Sequence, residues 1–277
     1  MLNAFSKRNQ LAQATSDAPA GASYPDQYRA ATWSPWWGLV MIAVAFLGAQ
    51  IVAVILMTAI PAVLQMTDAH ATIWLNSTVG RFLFVVFAEG LALLFLWLFL
   101  RDQLAANMRA IGITRPWQGK DVGYALAAAV GYYVVFGLAS AAVSAISGQD
   151  FSQRQETGFT AIASRPELVM TFVGLVILPP VVEEILFRGV LFGGLRRRFS
   201  FVWAALITGL AFALPHLAES KDGGVLWLAG IDTLTLSFFL CYLREKTGSL
   251  WASIFLHVTK NGIAFFFLFV IGQSFQH

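Results

Sequence analysis

Seven long apolar runs dominate this chain and restrict its fold more than any other feature. A helix of about 20 apolar residues spans a hydrocarbon core of roughly 30 Å. Lipid offers the backbone no hydrogen-bond partners, so open strands cannot cross it and helices are expected for such runs. The sequence therefore predicts an all-α, polytopic transmembrane helix bundle.

The simplest assignment places the spans at 37–60, 79–100, 122–146, 168–195, 201–217, 225–243 and 250–271. We expect the first span to stop at Pro61 and the fourth to be interrupted at Pro179-Pro180, because proline lacks the backbone donor that a helix interior needs. An interruption that makes two helices would raise the count, so we expect about seven to eight spans. Residues 71–78 either extend the second span or form an interfacial turn.

Composition supports a membrane protein and excludes some functions. Charged residues make up 12% of the 277 residues, against about 25% in soluble domains. A net charge of +3 gives no basis for nucleic-acid binding. The single cysteine, Cys241, cannot form an internal disulfide and is expected to pack as a small apolar side chain. Residues 1–35 are polar and aperiodic, which predicts a flexible cytoplasmic tail rather than a secretory signal, and residues 36–277 form a single membrane domain.

Lysine and arginine predict the orientation of the spans. With the N-terminus inside, twelve of these residues fall in inside segments and four in outside segments. That asymmetry follows the positive-inside rule and favours a cytoplasmic N-terminus.

The fourth span carries two carboxylates and a guanidinium, Glu183, Glu184 and Arg188. A charged side chain at a bilayer centre costs roughly 2.5–3.5 kcal/mol, so intramembrane charges generally indicate function. Glu184 and Arg188 stand at i and i+4 and can form an ion pair, which leaves Glu183 to point elsewhere. A structural ion pair that links helices would explain Glu184 and Arg188, but the second carboxylate, Glu183, favours a catalytic site.

Two further spans carry polar pairs at the same helical spacing. Phe212 and His216 share one face, and Pro215 beside the histidine leaves room for water. His257 and Asn261 share a face of the last span, where two aligned donors suit an oxyanion. Hydrogen bonding between helices is the alternative role for this second pair.

A helix rises about 1.5 Å per residue, and by this rise Glu183, His216 and His257 do not lie at the same depth in the membrane. Glu183 lies roughly 20 Å from Arg196, His216 roughly 24 Å from Ser200, and His257 roughly 14 Å from Gly248. Helix tilt and the Pro215 kink are needed to bring them together.

Three other ionisable residues, Glu89, Asp232 and Lys260, lie within spans. We expect supporting or structural roles for the two carboxylates, and Lys260 could pair with either of them. The spacing of Gly189 and Gly193 suits a close contact between helices.

The ordered motifs Glu-Glu-x-x-x-Arg, Phe-x-x-x-His and His-x-x-x-Asn resemble those of the CPBP family, which includes type II CAAX prenyl endopeptidases and Abi-like proteins. The matching residues are Glu183, Glu184, Arg188, Phe212, His216, His257 and Asn261. The resemblance implies an intramembrane endopeptidase fold, with its motif-bearing core at about 166–272.

The same resemblance implies roles for these residues. Glu183 and His216 would activate a water, His257 and Asn261 would stabilise the oxyanion, and Glu184, Arg188 and Phe212 would support them. Zinc is possible, with Glu183, His216 and His257 as candidate ligands, but a Glu–His pair can also act as a general base without metal. We therefore assign no certain cofactor.

The expected partners are the lipid bilayer and a membrane-associated peptide or lipidated protein, of CAAX type or processed like a bacteriocin. The expected location is a bacterial cytoplasmic (inner) membrane. Two alternatives stay open: a non-enzymatic immunity or scaffold protein, and a proton or ion pathway, because carboxylates and histidines in a bundle also form relays.

Overall fold

A computed structural model describes residues 26–147, 158–159, 162–217 and 226–271, and no strand occurs among them. The helices are α1 (Pro35–Val63), α2 (Asp68–Asn76), α3 (Thr78–Leu100), α4 (Leu104–Ile111), α5 (Gly119–Ser147), α6 (Arg165–Leu195), α7 (Phe201–His216), α8 (Trp227–Thr247) and α9 (Trp251–Ile271). Short 3₁₀ turns at Asp26–Tyr28 and Arg101–Gln103 precede α1 and α4. The all-α prediction is confirmed.

Seven helices, all except the short α2 and α4, correspond one to one to the seven predicted spans. Within the described part of the chain, five helical stretches are long and apolar enough to cross a membrane: α1, α3 continued by α4, α5, α6 and α9. Helix α7 is apolar but has 16 residues, about 24 Å of helix. Helix α8 has 21 residues and carries charged side chains near its end, including Arg244 and Lys246.

The predicted interruption of the fourth span is wrong, because α6 is continuous from Arg165 to Leu195. Pro179 and Pro180 lie in the first turn of a new α-helical stretch, where a missing N–H is tolerated. A π-helical stretch, Val173–Ile177, precedes them, and a second one, Glu184–Phe192, follows. The change of winding therefore accommodates the prolines without a break, and α6 does not divide into two helices.

Two other predicted boundaries are also corrected. Pro61 does not stop α1, which contains it and ends at Val63. For residues 71–78, neither the extension of the second span nor the turn holds as stated, because residues 71–76 belong to the separate helix α2 and Thr78 begins α3. Ser77 caps α3, its hydroxyl accepting a hydrogen bond from the backbone N–H of Gly80 at 3.1 Å.

Helix α6 lies at the centre of the bundle. Its last ten residues, 186–195, are all buried, as expected for a helix surrounded by protein on every side. It packs against α1, α3, α4, α7 and α9. A Cβ on Gly189 would lie 2.7 Å from Cγ2 of Ile111, so the predicted close contact at this glycine is present. Glu183 and Glu184 therefore belong to the helix whose C-terminal part is enclosed by the rest of the bundle.

The segments assigned to the cytoplasmic side meet at one end of the bundle. Arg196 Nη2 lies 2.6 Å from Glu245 Oε1, which joins the end of α6 to the end of α8. Arg244, which is fully buried, donates from Nη2 to the carbonyl of Ala110 at 2.7 Å. This common end agrees with the predicted assignment of these segments to one side, while the membrane face that this side meets stays a prediction.

The predicted flexible tail, residues 1–35, includes residues that pack against the bundle. Residues 1–25 lie outside the described part, but the stretch just before α1 packs against the bundle. Tyr28 and Trp33 are 0% and 3% exposed, and the Tyr28 hydroxyl donates to Glu245 Oε2 at 3.0 Å. The tail was predicted from its polar composition. That composition does not take into account the apolar surface that Tyr28 and Trp33 bury.

Candidate active site

Helix α6 supplies a buried ion pair at the candidate site. Arg188 Nη1 donates to Glu184 Oε1 at 2.9 Å, and both side chains are 0% exposed. The pair expected from the i, i+4 spacing is therefore present, although this part of α6 winds as a π-helix. No sequence signal predicted that winding, which is rare in proteins and is frequently found at functional sites.

Glu184 also joins α6 to α9. Its Oε1 atom accepts a hydrogen bond from Nδ1 of His257 at 3.0 Å, and His257 is 4% exposed. A carboxylate only accepts, so the imidazole carries its proton on Nδ1. Its Nε2 then faces Glu183, with Oε2 at 3.7 Å. That distance exceeds a direct hydrogen bond, but one water could hydrogen bond to both atoms.

Helix α7 supplies the second histidine. Nδ1 of His216 lies 2.8 Å from the carbonyl oxygen of Phe212. A carbonyl is an acceptor, so Nδ1 carries a proton and the lone pair of the neutral ring is on Nε2. The neutral imidazole therefore has the tautomer that a base acting through Nε2 requires.

The ring of Phe212 brings the two histidines together. Its centroid lies 5.1 Å from that of His216 and 5.8 Å from that of His257. The guanidinium carbon of Arg188 lies 4.3 Å from the same ring centroid, in the geometry of a cation–π contact. One aromatic ring thus touches groups from α6, α7 and α9, which reconciles the different depths obtained by counting residues.

Asn261 lies one turn beyond His257 on α9 and contacts a different part of α6. Its Nδ2 donates to the carbonyl oxygen of Leu175 at 3.0 Å. Leu175 belongs to the π-helical stretch before the two prolines, and no sequence pattern indicated it as a partner. An amide nitrogen carries two hydrogens, so this contact orients the side chain and uses one of its two donors.

The candidate zinc ligands do not form a metal-binding group. Among the residues that the structure describes, no three or more His, Cys, Asp or Glu side chains lie close enough together to hold a metal ion. Hydrogen bonds at Nδ1 leave only Nε2 of His216 and of His257 as candidate ligand atoms. The donor arrangement does not fit a zinc site, and the chemistry below uses no metal.

Lys260 pairs with Asp232 rather than with Glu89. Its Nζ lies 2.9 Å from Asp232 Oδ2, and the hydroxyl of Tyr132 donates to Asp232 Oδ1. No sequence pattern indicated Tyr132 as a partner, since a tyrosine in an apolar span is ordinary. Glu89, 9% exposed, lies on α3.

Comparisons with known proteins agree with the motif-based resemblance. Residues 165–263 match the family model described as "Type II CAAX prenyl endopeptidase Rce1-like". A Bacillus subtilis (strain 168) protein named "Putative membrane peptidase YdiL" is 33% identical over 85 residues, which are 31% of this chain and 32% of that protein. The chain thus aligns with about a third of the length of that relative.

A second relative aligns with more of the chain, and its name states no activity. The "Uncharacterized 24.3 kDa protein" of Escherichia coli is 29% identical over 194 residues, which are 66% of this chain and 81% of that protein. No solved structure matches the chain. Residues 165–263, which carry all three motifs, are therefore similar to the Rce1-like type II CAAX prenyl endopeptidases, and the resemblance to the CPBP family is confirmed over this part of the chain.

Proposed function

We propose that this chain is a membrane-embedded endopeptidase that hydrolyses a peptide bond in a membrane-associated substrate. One observation carries the proposal: His216 and His257, from two helices, contact the ring of Phe212, and the carboxylate of Glu183, from a third helix, lies 3.7 Å from His257. Desolvated acid–base groups at the centre of such a bundle are expensive to maintain, and function is their usual explanation.

Glu183 is the proposed general base. Its side chain is 13% exposed, whereas that of Glu184 is 0% exposed. A water beside Glu183 could give its proton to the carboxylate and attack the peptide carbonyl carbon. The carboxylic acid would then return the proton to the leaving amine, so that protons balance over the cycle. His216, with the lone pair on Nε2, is the second proposed acceptor at this water.

His257 and Asn261 are the proposed oxyanion donors. Negative charge develops on the carbonyl oxygen during attack, and oriented donors in a desolvated site stabilise it strongly. His257 must carry both ring protons to donate from Nε2, and the Glu184 carboxylate at Nδ1 would stabilise that cation. Asn261 lies one turn further along the same face of α9 and would donate its second Nδ2 hydrogen.

The proposed substrate is a peptide that reaches the site from the bilayer. It would be either a lipidated protein of CAAX type or a membrane-associated peptide precursor. Many apolar side chains on the outside of the bundle are exposed, for instance Ile51, Leu210 and Leu214, as expected for a surface that faces lipid. We place the protein in the cytoplasmic (inner) membrane with a cytoplasmic N-terminus, on the basis of its lysine and arginine distribution.

The test compares cleavage by the purified protein with that by Glu183→Gln and His216→Ala variants. The substrates are a prenylated CAAX peptide and a set of membrane-anchored peptides in proteoliposomes, and products are identified by mass spectrometry. We expect each variant to lose about 10²–10⁴-fold in kcat. Glu167→Gln and His70→Ala serve as matched controls outside the site. Wild-type rates in both site variants would refute the mechanism.

The same variants separate the two alternatives. A scaffold role predicts that Glu183→Gln either unfolds the protein or leaves its function intact, so a folded but inactive variant contradicts it. A proton pathway predicts pH-gradient-driven flux into proteoliposomes that disappears in Glu183→Gln. Absence of flux in the active wild-type protein would remove that pathway.

A further inference from the structure

A second polar cluster lies beside the candidate active site, where α5, α8 and α9 meet. Lys260 of α9 pairs with Asp232 of α8 at 2.9 Å, and the two side chains are 18% and 16% exposed. The hydroxyl of Tyr132, on α5, donates to the other oxygen of Asp232. Tyr132 itself is 1% exposed. None of these three groups takes part in the reaction proposed above.

The Lys260–Asp232 pair is one of three directional contacts along a short stretch of α9. His257 hydrogen bonds to Glu184 of α6, Lys260 pairs with Asp232 of α8, and Asn261 hydrogen bonds to Leu175 of α6. At 100° per residue, Lys260 points about 60° away from His257 around the helix axis. The contacts therefore hold α9 from two different sides.

Contacts of this kind are needed because apolar packing alone gives weak rotational control. Hydrophobic contacts are non-directional, and lipid tails are as apolar as the side chains that pack between membrane helices. A small rotation of α9 would leave most of its apolar contacts in place. The same rotation would move the Nε2 atom of His257 away from Glu183, which lies 3.7 Å from it.

We propose that Asp232, Lys260 and Tyr132 act as positioning residues, which fix the rotation of α9 so that His257 and Asn261 face the reacting peptide bond. This inference rests on the endopeptidase function proposed above. It assigns the three residues no contact with the substrate, and their effect is exerted through His257 and Asn261.

A purely structural ion pair would have a different signature. Replacing both partners of a buried pair by neutral residues of similar size often leaves stability unchanged. The double variant Asp232→Asn, Lys260→Met therefore removes the directional contact without leaving an unpaired charge. We expect its thermal stability to stay close to that of the wild type. A misplacement of about 1 Å in a site can cost about 10²-fold in rate, so we expect kcat to fall by about that factor.

Two further variants sharpen the test. The exchanged pair Asp232→Lys, Lys260→Asp restores an ion pair in the opposite sense and should recover at least about tenfold of the lost kcat, since roughly 10²-fold is at stake. Tyr132→Phe keeps the ring, which packs against Phe136 and Phe239, and removes the hydroxyl. It should lower kcat less than the neutral double variant, and KM should change little in every case.

A second readout does not depend on catalysis. Diethyl pyrocarbonate modifies accessible imidazoles, and mass spectrometry measures the extent at each histidine. His257 is 4% exposed, whereas His70 lies on the exposed α2 and serves as an internal reference. If the cluster orients α9, the modification rate of His257 relative to His70 should rise several-fold in the neutral double variant and return in the exchanged pair.

The two readouts separate this inference from the proposed function. A folded double variant with wild-type kcat, or with wild-type reactivity of His257, would overturn the positioning role even if Glu183→Gln is inactive. If the wild-type protein cleaves none of the peptides, the endopeptidase proposal fails. The reactivity of His257 then still decides whether Asp232, Lys260 and Tyr132 fix the rotation of α9.

Discussion

Replacing Glu184 with glutamine should destabilise the protein strongly, because it removes one charge of a fully buried pair. Arg188 would keep its positive charge against the ring of Phe212 with no anion beside it. Breaking one side of a buried ion pair costs about 3–5 kcal/mol, since the remaining charge stays desolvated. His257 would also lose a charged acceptor at 3.0 Å, a hydrogen bond worth about 1.5–3 kcal/mol.

The two losses are not additive, because both donors share the same oxygen of Glu184. We therefore expect a total loss of about 3–5 kcal/mol, which shifts the unfolding equilibrium by about 10²- to 10⁴-fold. The measurement is reversible unfolding by SDS in mixed micelles, followed by circular dichroism. The control is Asp26→Asn in the exposed Asp26–Arg29 pair, whose side chains are 86% and 71% exposed. It should change stability by less than about 1 kcal/mol.

A double variant completes the test. Adding Arg188→Met to Glu184→Gln removes the stranded charge, so most of the lost stability should return. A desolvation cost at Arg188 is refuted if Glu184→Gln alone stays within about 1 kcal/mol of the wild type, the range of an exposed pair. It is also refuted if the double variant is as unstable as the sum of the two single variants.

Three other outcomes follow from the structure. Gly189→Ala puts a Cβ 2.7 Å from Ile111 and should cost about 1–3 kcal/mol by overpacking; an equal cost in an Ile111→Ala background would contradict the contact. Tyr28→Phe removes the hydrogen bond to Glu245 and should cost about 1.5–3 kcal/mol, with faster proteolysis before α1; unchanged proteolysis would argue against that anchor. Because the described donors do not converge on a metal position, dialysis against a chelator should leave peptide cleavage intact, and loss of activity restored by added zinc would contradict this expectation.

The predictions that agree with the structure rest on local spacing. The Glu184–Arg188 pair was expected from an i, i+4 separation, and such neighbours meet whatever surrounds the helix. The bundle of apolar helices was expected from the lengths and composition of the runs, because the bilayer imposes both. His216 and Phe212 also share one face of α7, and their rings are in contact.

The predictions that disagree rest on local rules that other contacts overrode. Prolines at 179 and 180 favour a break, but the π-helical stretch before them places both in a first turn. Polar composition favoured a free tail up to residue 35, but Tyr28 is buried against the end of the bundle. The choice of Asp232 over Glu89 as the partner of Lys260 depended on which helix α9 meets, and spacing along one helix carries no such information.

The membrane-spanning, all-α architecture and the residues that share each helix face therefore follow from the sequence alone. Packing between helices decided which faces meet: His257 with Glu184, separated by 73 residues, Asn261 with Leu175, and His257 with Phe212. The physical reason lies in the range of the forces. Helical spacing and burial in lipid act on neighbouring residues and on composition, whereas the rotation and tilt of a helix result from packing against several others. Those packing contacts join segments that lie far apart in the chain.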